Sequence, residues 1–401
     1  MNGGGRIPSA PRERPGPPES ERRVSKASLN PFTVGGTDMP PNLLLMAKLV
    51  AVCFLVSGQW AALPQPFLPL VSILDDLGSA ATAGVVLKTA FLVAAALLLT
   101  NRSPRLASLA LGLVIFVGML ASRNYIENNR FFVVLLFVLA GLSNRQLGGR
   151  LVQLQLVVLY FGAALNKLLD IDWRSGQYFE HLPSGTDLAG VYSRLTGLFP
   201  ELLLSAVLAW AVIATEVALA TAFLLRRLVW VAVWLGAAYH TSLVLVTGRT
   251  FGMFWYAATA SYFAFAEVPA RLHVTPGSRA GSVWATLRRP LRFLDTEHQV
   301  SWGPPSGSRL AVTSGLTSYF GFAALMRLAI ALAPVLFAGY ILAALPMLNH
   351  RAVAAGVMVL LIALAVSVTR AGIRRGVEAG DKRSTLTRLL LGSLRGDDGV
   401  N

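Results

Sequence analysis

The chemistry open to this chain rests on a few ionisable residues set in apolar runs, where charge is costly and usually has a purpose. In the stretch Leu159 to Gly176 (LYFGAALNKLLDIDWRSG) an apolar run meets Lys167, Asp170, Asp172 and Trp173. A lysine there has two readings. It can snorkel to the headgroups beside an interfacial tryptophan, or it can serve as a base if burial keeps it neutral. Phe161 and the aromatics of the run Phe251 to Phe265 would supply that burial, and Asp170 and Asp172 would oppose it. His240 lies inside another apolar run and is either a proton-exchanging group or a hydrogen-bonded core residue. Glu216 is an intramembrane carboxylate, either functional or neutral and bonded to a neighbouring helix. Lys88 is its partner only if their depths overlap.

The elements that must position these groups are membrane helices. The chain has 401 residues, 54% of them hydrophobic, with a formal charge of +15. Roughly ten runs approach the length of about 20 apolar residues that spanning a bilayer requires. They are Leu44–Ala62, Ala80–Leu99, Leu106–Ala121, Phe131–Leu142, Leu151–Leu165, Leu202–Leu224, Leu228–Val246, Phe251–Phe265, Leu328–Leu345 and Ala352–Val368. The expected fold is an all-α polytopic bundle with disordered basic tails. Residues 1–40 form a Pro-, Gly-, Ser- and Arg-rich tail, 41–370 the membrane domain, 267–314 a basic loop inside it, and 371–401 a second basic tail. Pro334 should kink the ninth run. Arg288, Arg289 and Arg292 lie on an amphipathic stretch suited to a membrane surface.

Arginines concentrate in the connections Arg102/Arg105, Arg145/Arg150, Arg226/Arg227 and 267–314. The positive-inside bias therefore places both termini in the cytoplasm, and it explains the basic charge without nucleic acid. One cysteine, Cys53, excludes a disulfide framework within the chain. No HExxH, nucleotide loop or cysteine–histidine spacing is present, so metal and nucleotide chemistry have no sequence support. In this orientation Lys167, Asn128, Asn129, Arg130, His240 and the start of the Gly252–Tyr256 segment converge on one level of the outer leaflet. At 1.5 Å per residue Glu216 lies roughly 21 Å below the outer start of its span, nearer the inner face.

The order Tyr160-Phe161, Ala163-Ala164, Asn166-Lys167-Leu168, Asp172-Trp173, Gly176 resembles the signature stretch of the vitamin K-dependent gamma-carboxylase and HTTM membrane family. His240 followed by Phe251-Gly252-Met253-Phe254-Trp255-Tyr256 is similar to a second family stretch. Asn128-Asn129 resembles its paired asparagines, where the family has a histidine next and this chain has Arg130. An arginine does not exchange protons near neutrality, so Arg130 is expected to hold an anionic group instead. The resemblance covers about Ser122 to Ala266 and implies a base at Lys167 that deprotonates a reduced naphthoquinone of the menaquinone or vitamin K type. It implies that His240 and Asn128–Arg130 orient the ring, that Phe254, Trp255 and Tyr256 stack on it, and that Tyr160, Asn166, Trp173 and Gly252 belong to the same site. The carboxylase's outer peptide-gripping domain has no counterpart here, so peptide carboxylation is not implied. The second expectation is a non-catalytic plasma-membrane protein that binds a lipid or quinone, or assists export or maturation of a secreted peptide. Some bacterial HTTM-type proteins that accompany a sporulation-delaying peptide toxin look like this. The dominance of arginine over lysine points to a GC-rich genome and a bacterial membrane.

Overall fold

Helix α1 (Pro41–Val56) is apolar but for Asn42 and Lys48, and most of its residues are buried at the centre of the molecule. The structure is a computed structural model. It describes residues 30–77, 79–144, 146–181, 189–247, 252–266, 271–277, 281–305, 309–314 and 317–345. After Gly58, whose φ of +74° suits a residue without Cβ, the chain leaves α1 through a short 3₁₀ turn. The antiparallel run α2 (Ala80–Leu99), α3 (Pro104–Leu120) and α4 (Asn128–Leu142) follows, with Ser79 capping α2 through the Thr82 amide.

Helix α5 (Arg150–Leu169) then leads into three short helices, α6 (Ile171–Ser175), α7 (Gln177–His181) and α8 (Ala189–Thr196). The chain returns as α9 (Leu203–Leu224), α10 (Val229–Thr247) and α11 (Gly252–Ser261), which ends in a 3₁₀ turn at Tyr262–Phe265. Three of these helices, α2, α5 and α9, are long and apolar enough to cross a membrane. Their outward faces carry Val85, Val86, Val93, Val158, Phe161, Val207 and Trp210 in exposed positions. Apolar surface of that extent requires an apolar surrounding, which makes this a membrane-associated protein.

Several expectations are met only in part or corrected. Among the described residues three helices, rather than ten, reach spanning length; α1, α3, α4, Val229–His240 and Ala333–Leu342 are shorter apolar helices. The run at Leu328–Leu345 is two helices, α13 (Phe322–Ala331) and α14 (Ala333–Ala344), broken at Leu332 with Pro334 in the first turn of α14. Proline lacks the amide that would continue α13 and is well placed at a helix start. The tenth run and the tail 371–401 lie outside the described residues. So does 1–29 of the expected disordered tail, whereas 30–40 is packed against the helices.

The expected loop 267–314 instead holds structure, so the fold is not purely α. Strands β1 (Leu272–Thr275), β2 (Val300–Trp302), β3 (Ala311–Ser314) and β4 (Thr317–Phe320) form one sheet in the order β2-β1-β3-β4. β1 pairs in parallel with β2 and antiparallel with β3, and β3 antiparallel with β4. Helix α12 (Gly281–Leu294) connects β1 to β2, the long crossover that a parallel pair needs. Leu272, Val274, Val312 and Tyr319 face a small core shared with Trp284 and Leu291 of α12 and Leu328 of α13.

The sheet end of the molecule is tied to the bundle by Lys48. Its ammonium, fully buried in α1, donates to the carbonyls of Pro31 (2.7 Å), Thr33 (2.8 Å) and Leu99 (3.1 Å). The amides of Val34 and Gly35 in turn donate to the Glu297 carboxylate just beyond α12. Lys48 therefore does not snorkel; an N-terminal strap folds over it.

Candidate functional site

Tyr160, Ala164 and Lys167 are spaced i, i+4, i+7, which puts them on one face of α5. That face meets α9 and, beyond it, α10. The Lys167 ammonium donates to both oxygens of Glu216 at 2.8 Å, and the Tyr239 hydroxyl donates to Glu216 Oε1 at 2.9 Å. The Lys167 and Glu216 side chains are 15% and 6% exposed, so the pair is nearly dry. A two-pronged contact with a third donor is what such a pair needs to offset the cost of desolvating both charges. The ammonium also lies 5.0 Å from the centre of the Trp173 ring, which stacks on Tyr178 at 4.1 Å.

Depth counting put Glu216 too far from Lys167. It assumed that α9 begins where α5 ends, and this is not so. Helices α6 and α7 fold back beside the first turns of α9, where Ser205 donates to Glu180 and Gly176 lies against Ala206. A Cβ on Gly176 would sit 2.8 Å from Ala206 Cα, and its φ of +89° is also one that only glycine adopts freely. Ala206 is thus level with Gly176, and ten residues of helix, about 15 Å, bring α9 back to Lys167 at Glu216. Glu216 pairs with Lys167 and not with Lys88.

A second polar group lies two helical turns along α5. Tyr160 OH is 2.7 Å from His240 Nε2 and 3.0 Å from Tyr262 OH. All three side chains are buried. Tyr160 stacks on Phe223 at 5.9 Å, and the His240 ring meets Phe254 edge-on at 5.5 Å. Gly236 gives Tyr262 its place, because any Cβ there would overlap the tyrosine hydroxyl. The two groups are joined on α10, where Tyr239 serves one and His240 the other, their rings 5.2 Å apart.

The remaining expected residues divide. Phe254 packs between His240 and Phe132, Met253 and Tyr256 are buried, and Trp255 is buried against Tyr256. Gly252 is the first residue of α11. Asn166 is exposed, Phe161 is 57% exposed rather than packed on Lys167, and Asp170 caps α6 through the Asp172 amide. Arg130 is held elsewhere. Its guanidinium donates to the Tyr125 carbonyl (2.8 Å) and Gln59 Oε1 (3.1 Å), lies 3.8 Å over the Tyr125 ring, and pairs with Glu127 at 3.4 Å. Burial raises the Tyr125 phenol above its usual value, and the arginine opposes this. Asn128 is exposed and Asn129 half-buried at the start of α4.

The expected single level is therefore not met. Gln155, whose side chain donates to the Phe132 carbonyl at 3.1 Å, is the α5 residue beside the start of α4. Lys167 lies twelve residues, about 18 Å, further along α5. Tyr239 and Tyr262 carried no signal in the sequence, since a tyrosine in an apolar run reads as packing. Among the described residues no group of His, Cys, Asp or Glu is arranged to hold a metal ion. None of the known family models, curated proteins or solved structures matches this chain.

Proposed function

We propose that this is a plasma-membrane protein of the HTTM and gamma-carboxylase type, with Lys167 as the base toward a reduced naphthoquinone taken from the lipid. The observation that carries the reading is the Lys167–Glu216–Tyr239 network, a nearly dry ion pair that ends in a lysine beside aromatic rings. Proton transfer across either 2.8 Å contact converts the pair to an amine and a carboxylic acid. The amine then accepts a proton from a quinol hydroxyl, Glu216 retains the proton it received, and Tyr239 steadies the carboxyl. Tyr160, itself bonded to the Tyr262 hydroxyl, holds His240 in one orientation behind this group.

A reduced naphthoquinone supplies the electrons: with one molecule of oxygen it yields its epoxide and water. The positive-inside bias supports both termini in the cytoplasm and Lys167 toward the outer leaflet.

The test uses the full chain in lipid nanodiscs with reduced menaquinone and oxygen, the extracted quinones being separated by chromatography. Epoxide above a no-protein control is expected, with loss in Lys167→Met and in Glu216→Gln. Wild type indistinguishable from the control across several quinols removes the enzyme reading. Reporter fusions at Ser184 and Ser282 should report opposite sides, exported and cytoplasmic; a shared side removes the orientation.

The ion pair also favours a second reading. A lysine already bonded to a carboxylate through both oxygens is a fastener between α5 and α9. The protein would then bind a lipid or quinone, or assist export or maturation of a secreted peptide, without catalysis. Unchanged ligand binding in Lys167→Met with weakened folding would mark that case.

A further inference from the structure

We propose that the exposed face of α12, formed by Arg289, Arg292 and Phe293, docks on anionic phospholipid headgroups at the Lys48 end of the bundle. The helix, GSVWATLRRPLRFL, contains no acidic residue. Its apolar side is already occupied, because Trp284, Leu291 and Leu294 pack on the sheet core. The helical repeat puts Arg289, Arg292 and Phe293 on the side away from Trp284 and Leu291. All three are exposed, Phe293 by 85%. The amphipathic character read from the sequence is thus satisfied inside the protein. What remains outward is different: a phenylalanine flanked by two arginines.

The position of α12 identifies the occupant. Glu297, just past its end, accepts from Gly35 N at 2.7 Å, and the same strap supplies the Pro31 and Thr33 carbonyls to Lys48. The third carbonyl on Lys48 is that of Leu99, the last residue of α2, a helix long and apolar enough to span. α12 also touches α14. The helix is therefore fixed where α2 leaves the apolar layer, which is where lipid phosphates lie. Guanidinium groups match phosphate through two parallel N–H donors, and a basic face beside a membrane is drawn to anionic lipid. Phe293 enters below the headgroups, as aromatic residues of surface-lying helices do. This inference does not depend on the quinone reading.

The test places a nitroxide at position 293 (Phe293→Cys) in the full chain; the native Cys53 is buried and does not compete for the label. The chain goes into nanodiscs of phosphatidylcholine with or without phosphatidylglycerol. With phosphatidylglycerol the label should become accessible to oxygen and shielded from a water-soluble relaxing agent. High salt, which leaves the sequence intact, should reverse this several-fold, and so should Arg289→Glu with Arg292→Glu. A label equally open to water in both lipids overturns the proposal. So does shielding that ignores lipid charge and disappears on dilution, which would show a second copy of the chain covering the face.

Discussion

Lys48 and Lys167 are both lysines of apolar helices, yet the molecule treats them in opposite ways. Lys48 is fully buried and its three protons go to three backbone carbonyls. Lys167 keeps a partly exposed side chain and gives two contacts to one carboxylate. Carbonyls cannot take up a proton from Lys48, so these three contacts act as a lock on the N-terminal strap. A carboxylate can, and in the proposed function the contact between Lys167 and Glu216 is where a proton would pass.

The comparison is broken most directly at Lys48. Lys48→Met leaves the carbonyls of Pro31 and Leu99 without a donor, that of Thr33 keeping the Asn101 amide, at about 1–3 kcal/mol each, so a loss of roughly 4 kcal/mol is expected in reversible unfolding. A loss no larger than that from Lys167→Met would end the distinction between lock and poised pair. Next is Glu216→Ala, which strands the ammonium. Breaking a buried pair costs about 3–5 kcal/mol, and the low end is expected because Lys167 can turn toward water. Chemical denaturation in lipid measures it, and a change within error would show the pair to be idle.

Lys167→Met should cost less, about 2 kcal/mol, because the abandoned carboxylate keeps the Tyr239 hydroxyl as a donor. The double variant Lys167→Met with Glu216→Ala should then fall short of the sum of the single losses, as contacting residues do. Strict additivity would mean that the two residues do not interact in the membrane. The smallest effect belongs to Tyr239→Phe, about 1 kcal/mol for one hydrogen bond, with any epoxide formation reduced rather than lost. If Tyr239→Phe abolishes turnover as completely as Lys167→Met, Tyr239 and not Lys167 is the group that handles the proton.

Much of the scaffold was legible because apolar run length is a local property. The run Ala80–Leu99 has the bounds of α2, α9 begins one residue inside the expected Leu202–Leu224, and Pro334 marks the break after Leu332. The sheet was not legible. Its strands are three or four residues long and their partners are remote in sequence, as with Leu272 opposite Ser314. Short strands of that kind carry too little alternation to stand out from a polar basic loop.

By itself the sequence determined that long apolar helices exist, that Lys167 closes one of them, that Trp173 stands beside it, and that Glu216 and His240 lie within others. Tertiary structure alone decided which of these meet. The axial offset of α9 against α5 is set by α6 and α7 packing on Ser205 and Ala206, and it brings Glu216 to Lys167. The rotation of α10 gives Tyr239 to one cluster and His240 to the other. Counting residues from a membrane plane fixes depth only if every helix starts at that plane, and offset and rotation come from contacts between segments far apart in the chain.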